Sequence, residues 1–158
     1  MLLPIVIAAC GPRPMSMTGP APVQPTPSQS VSDSVVAAVL RLIAQRGLPD
    51  HRPRSIIYAQ TDSDIVSSSS LPVLDSVQFV LLDSVEVQRL ANRVGSVNVI
   101  RVSRPLVHDD TAQAGADSRV VWRRERIGRM ISMSACAFRL RRMNAGWQVD
   151  STLGCIIS

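Results

Sequence analysis

The stretch from Met130 to Ser158, MISMSACAFRLRRMNAGWQVDSTLGCIIS, reads as two strands, Met130 to Met143 and Trp147 to Ile157, joined by a turn at Asn144-Ala145-Gly146. Cys136 and Cys155 lie on opposite sides of that turn. If they face one another the register follows: Phe138 meets Leu153, Leu140 meets Ser151 and Arg141 meets Asp150. Cys136, Phe138, Leu140, Val149, Leu153 and Cys155 then share an apolar face, with Arg139, Arg141, Asp150 and Thr152 on the other. A slip of one residue would turn the apolar set to solvent. In an oxidising compartment this pair forms a disulfide; the rival reading is two buried free thiols. No Cys-x-x-Cys or neighbouring His suggests a metal site.

Upstream, residues alternate with period two from Ser96, and a further strand runs from about Ala112 to Arg124. Turns are expected at His108-Asp109-Asp110 and Ile127-Gly128, and such short connections imply an antiparallel meander. Ser55 to Gln60 and the apolar run Val77 to Leu82 have strand length, while Thr61 to Ser70 reads as a mobile loop. Ser32-Asp33-Ser34 precedes Val35, Val36, Val39, Leu40 and Ile43 at helical spacing, and Gly47 and Pro49 end that helix. Asp83 and Glu86 have capping-box spacing ahead of Val87, Leu90, Ala91 and Val94, and Gly95 stops this second helix. Leu74-Asp75-Ser76-Val77 recurs as Leu82-Asp83-Ser84-Val85, and two copies do not make a repeat architecture. The fold expected is α+β: two helices packed on a four- to six-stranded antiparallel meander, in one domain spanning residues 31–158.

The first thirty residues have a different character. Residues 1–9 are apolar and end in Ile7-Ala8-Ala9-Cys10-Gly11, which resembles the lipobox of bacterial lipoproteins. Residues 10–30 are rich in Pro, Ser, Thr and Gln, as in an extended tether. The resemblance implies a signal peptide over 1–9, lipid on Cys10 and a protein held at the membrane of the cell envelope, facing the periplasm or exterior. Gly11, in place of Asp, resembles lipoproteins sent on to the outer membrane. No Lys or Arg precedes Cys10, so the positively charged start of a signal peptide is expected upstream of Met1.

Of 158 residues, 17 are basic, all Arg, against 12 acids, but the excess is local. Arg119, Arg123, Arg124, Arg126, Arg129, Arg139, Arg141 and Arg142 stand against the single acid Glu125, whereas residues 31–118 are slightly acidic. An exported basic face suits anionic lipid or envelope glycolipid. With aromatics at 3%, base-stacking platforms are hard to build and no nucleic acid is expected.

His108-Asp109-Asp110 could ligate a cation or pair a base with an orienting acid, but this composition is also ordinary turn chemistry. Asp62 and Asp64 lack the Gly and distal Glu of a calcium loop, and His51 sits in a polar loop. No nucleophile elbow, phosphate loop or zinc-helix motif is present, so no catalytic residue, cofactor or metal is assigned. The expected function is a non-enzymatic interaction or structural module. The alternative is a small-molecule binding or hydrolytic pocket inside a cone-shaped sheet.

Leu90 to Ser158 also resembles the C-terminal part of a broad set of bacterial envelope proteins, through Ser103-Arg104-Pro105, Asp109-Asp110-Thr111-Ala112, Asn144-Ala145-Gly146-Trp147-Gln148-Val149 and Ile157-Ser158. The closing Gly-Trp-Gln-Val hairpin is similar to the nuclear-transport-factor-like fold, which implies helices packed on a curved antiparallel sheet. Both resemblances speak for topology; neither implies an activity.

Overall fold

The computed structural model describes residues 29–49, 52, 54–60, 65–124 and 133–158. The first helix, α1 (Gln29–Arg46), starts within the stretch read as tether. Its Val35, Val36, Val39, Leu40 and Ile43 are all fully buried, as their spacing demands. Gly47, at φ +77°, ends it by donating its N–H to Ile43 O at 2.8 Å. Asp33 lies inside the first turns of α1 and does not cap it. Its carboxylate accepts from Ser69 Oγ at 2.8 Å and Ser67 Oγ at 3.2 Å, which anchors the serine run as a 3₁₀ turn, Ser68–Ser70. The part of the Thr61–Ser70 loop that the structure describes is therefore held to α1.

Among the described residues the sheet has seven strands: β1 (Ile56–Gln60), β2 (Gln78–Leu82), β3 (Ser96–Val102), β4 (Leu106–His108), β5 (Thr111–Trp122), β6 (Met133–Met143) and β7 (Gly146–Ile157). Their order is β2-β1-β3-β5-β6-β7, with β4 pairing β5. This α+β sheet is mixed, not the antiparallel meander of the sequence reading. β1 runs parallel to both β2 and β3, and the remaining pairings are antiparallel. α2 (Ser84–Val94) carries the chain from β2 over β1 to β3 and so makes β2 and β3 parallel, while β1 takes the same direction through its own long connection to β2. A crossover helix makes strands parallel where a hairpin makes them antiparallel. α2 has the capping box its sequence predicts: Glu86 N–H donates to Asp83 Oδ1 at 2.7 Å, and Asp83 N–H to Glu86 Oε2 at 2.9 Å. Leu74-Asp75-Ser76-Val77 uses the same four residue types as a tight turn, bridging Leu74 to Val77.

The two helices lie on opposite faces of the sheet. Ile57, Ala59, Ile100 and Val102 pack in the α1 cluster, whereas Tyr58, Val97 and Val99 pack with Val87 and Ala91 of α2. Alternation along β1 and β3 places those sets on opposite sides. On the α1 side, Ala112, Ala114 and Ala116 of β5 and Phe138 and Leu140 of β6 complete the core with Trp147. Small alanines beneath a helix rich in Val and Leu let it approach the sheet closely. Val94, expected on the packed face of α2, is 62% exposed.

The β6–β7 hairpin keeps the predicted pair Cys136↔Cys155 but not the register built on it. Phe138 faces Thr152, Leu140 faces Val149 and Arg141 faces Gln148, with register shifts after Ala137 and Arg139. The reason is arithmetic. The turn pairs Met143 with Gly146, and counting from there an uninterrupted ladder would set Cys136 against residue 153, two short of Cys155. Two bulges in β7 absorb the difference, passing over Leu153 and Asp150. Trp147, Val149 and Cys155 thus stay on the α1 side, while Leu153 is left 45% exposed.

Candidate functional site

Of the eight arginines grouped by the sequence, six are among the described residues, and strand register sorts four of them. Arg119, Arg139 and Arg141 point to the sheet face away from α1, because their β5–β6 partners alternate with the buried Ala112, Ala114 and Ala116. Arg142, next to Arg141, projects to the opposite side, across from Trp147. Arg123 and Arg124 follow the end of β5 beside α2, where Arg123 N–H donates to Gly95 O at 3.0 Å and Arg124 N–H to Asn92 Oδ1 at 3.3 Å. Arg126 and Arg129 lie outside the described residues, as do Cys10, His51, Asp62, Asp64 and the Ile127-Gly128 turn.

The three arginines that share a face differ in their surroundings. Arg119 Nε lies 3.3 Å from Asp117 Oδ1, and Arg101 Nε approaches the other oxygen of Asp117 at 3.9 Å. Asp117 stands two residues before the window whose charge suggests a basic face, and it pairs with Arg119 at that end. Arg119 opposite Met133 is six β6 residues from Arg139, or about 20 Å along the strand. Arg139 and Arg141 have no ion-pair partner among the described residues. The predicted cross-strand contact of Arg141 with Asp150 is absent, because Asp150 is the residue passed over by a bulge.

Arg139 and Arg141 sit across from Gln113 and Thr111 of β5, which in turn face Leu106 and His108 of β4. These residues line an open groove of about 410 Å³. Thr111 Oγ1 donates to His108 O at 3.0 Å, closing the turn in which Asp109 takes φ +50°. His108 Nδ1 lies 3.1 Å from Asp109 Oδ2, with both side chains more than four-fifths exposed. The His108-Asp109-Asp110 cluster is therefore a solvated hairpin turn. Among the described residues no three His, Cys, Asp or Glu side chains are grouped to hold a metal. The sequence reading missed Leu106, Thr111 and Gln113. Extending the tight turn it had already placed at Asp109-Asp110 pairs His108 with Thr111, and Leu106 with Gln113 follows two residues on.

The Cys136 and Cys155 sulfurs stand at 2.05 Å, with Cα atoms 4.1 Å apart. Cys136 is buried beside Phe138, and Cys155 is exposed on the edge strand. Among the described residues no helix is long and apolar enough to cross a membrane. No protein-family model, curated protein or solved structure matches the chain.

Proposed function

We propose that this protein is a lipid-anchored component of a bacterial cell envelope that works without catalysis, meeting an anionic membrane surface through the sheet face that bears Arg139 and Arg141. The observation that carries the reading is the isolation of those two guanidinium groups: both are exposed, on one face, and without an ion-pair partner among the described residues. Isolated arginines on an open face keep their full attraction for an external anion. The anchor is supported by the resemblance of Ile7-Ala8-Ala9-Cys10 to a lipobox and by the proline- and serine-rich stretch after it. The export that lipidation requires would put Cys136 and Cys155, which face each other across β6 and β7, in an oxidising compartment.

Vesicle binding tests this proposal. The full chain carrying Cys10→Ser, so that no acyl group contributes, is titrated with neutral and with anionic vesicles over a salt series. Binding to anionic vesicles is expected to weaken steadily as the screening length falls from about 30 Å at 0.01 M to about 8 Å at 0.15 M. Equal binding to neutral and anionic vesicles removes the basic face from the account.

A further inference from the structure

The groove between β4 and β6 narrows the chemistry of the anion, an inference that rests on the membrane-surface reading above. We infer that it seats a phosphate monoester carried by a lipid headgroup. Arg139 and Arg141 are two residues apart on one strand, so their Cα atoms stand about 7 Å from each other on the same face. Two planar guanidinium forks at that spacing can close on one tetrahedral phosphate from both sides, whereas a carboxylate has the two oxygens that one fork already satisfies. A phosphate monoester carries about 1.5 to 2 negative charges at neutral pH, which matches two arginines better than the single charge of a diester.

The neighbours add to the case. Gln113 lies directly across from Arg139, is exposed, and supplies amide N–H donors to the floor of the groove. Asp150, the acid nearest to the pair by sequence, is passed over by a β7 bulge and forms no ion pair with either arginine among the described residues, and the acids of the β4–β5 turn are Asp109 and Asp110. The Asp109 carboxylate faces His108, and neither forms an ion pair with Arg139 or Arg141. Leu106, opposite Gln113 on the same face, is 63% exposed and forms an apolar wall of the groove. A free anion gains nothing from that wall. A headgroup brings its glycerol and the root of an acyl chain alongside the phosphate, and these can cover Leu106.

The test uses the full Cys10→Ser chain and three vesicle types matched in surface charge: phosphatidic acid, whose phosphate is a monoester; phosphatidylglycerol, a diester; and fatty acid, which has no phosphate. Phosphatidic acid is expected to bind most tightly. Arg139→Gln and Arg141→Gln should each weaken that binding about fivefold and erase the preference, given the usual attraction per basic residue at a membrane surface. Arg89→Gln, the same charge change on the exposed side of α2, should keep the preference. Equal binding to all three vesicles overturns this inference and leaves the membrane-surface reading in place; binding to none of them overturns both. If inorganic phosphate at millimolar concentration displaces the protein from phosphatidic acid, the site takes free phosphate and the lipid assignment is wrong.

Discussion

Reduction of the Cys136–Cys155 pair should weaken the fold in a way that can be worked out beforehand. The two residues are 19 apart in sequence. On the chain-entropy model, closing a loop of that length removes about 11 cal/mol/K from the unfolded ensemble, or about 3 kcal/mol at 25 °C. For a domain of this size 1 kcal/mol moves the melting point by about 3 °C, so reduction should lower it by about 10 °C. The ladder between β6 and β7 stays hydrogen-bonded on both sides of the pair, so the native circular dichroism should persist at room temperature. The exposed position of Cys155 gives a reductant access without prior unfolding. The assay is urea and thermal unfolding of the Cys10→Ser chain with and without reductant, alongside a Cys136→Ala/Cys155→Ala variant. Superimposable unfolding curves in the two conditions, or two titratable thiols in protein never exposed to reductant, would refute the reasoning.

Deleting Leu153 should be tolerated. The residues now paired on either side of it, Thr152 with Phe138 and Gly154 with Ala137, then join as a regular ladder, and mass spectrometry should still find the bridge. Deleting Ala114, buried in a β5 stretch without a bulge, should abolish folding, read as loss of the cooperative melt. Gly115→Ala would place a Cβ 3.0 Å from Ser103 Oγ, the atom that accepts the Gly115 N–H at 2.8 Å. The expected destabilisation is about 1–3 kcal/mol in urea titration, and Ser103→Gly should relieve the crowding part of it. Asp83→Ala removes one half of the α2 capping box and should lower stability by about 1 kcal/mol, whereas Asp83→Asn should lose little.

What could be read from the chain alone depended on how local the determinant was. α2 was legible because its cap, its apolar stripe and its stop glycine all lie within 13 residues, and the structure places Asp83, Glu86 and Gly95 as expected. The apolar run Val77–Leu82 reads as a strand, but its parallel pairing with β1 is set by the connection between the two strands, and its direction relative to β3 by the crossover helix that follows. In that case the direction of pairing is a property of the connection, and strand composition does not reveal it. The Cys136–Cys155 pairing was legible for a related reason: the turn and the cysteines each specify a local register. The two registers differ by two residues, and no single-strand pattern shows which residues a bulge will set aside. A linear window over the arginines ignores strand parity. Parity sends Arg142 away from Arg141 and brings Arg101 and Asp117 next to Arg119, although neither lay within the window.

The proposal as a whole depends on whether the chain is exported and acylated, and intact-mass analysis of the native N-terminal peptide from bacterial membranes addresses this directly. A lipid-anchored protein yields a peptide that begins at residue 10, with a diacylglyceryl thioether on the cysteine sulfur. A peptide running unbroken across the Ala9–Cys10 bond, with an unmodified thiol, would contradict the proposal.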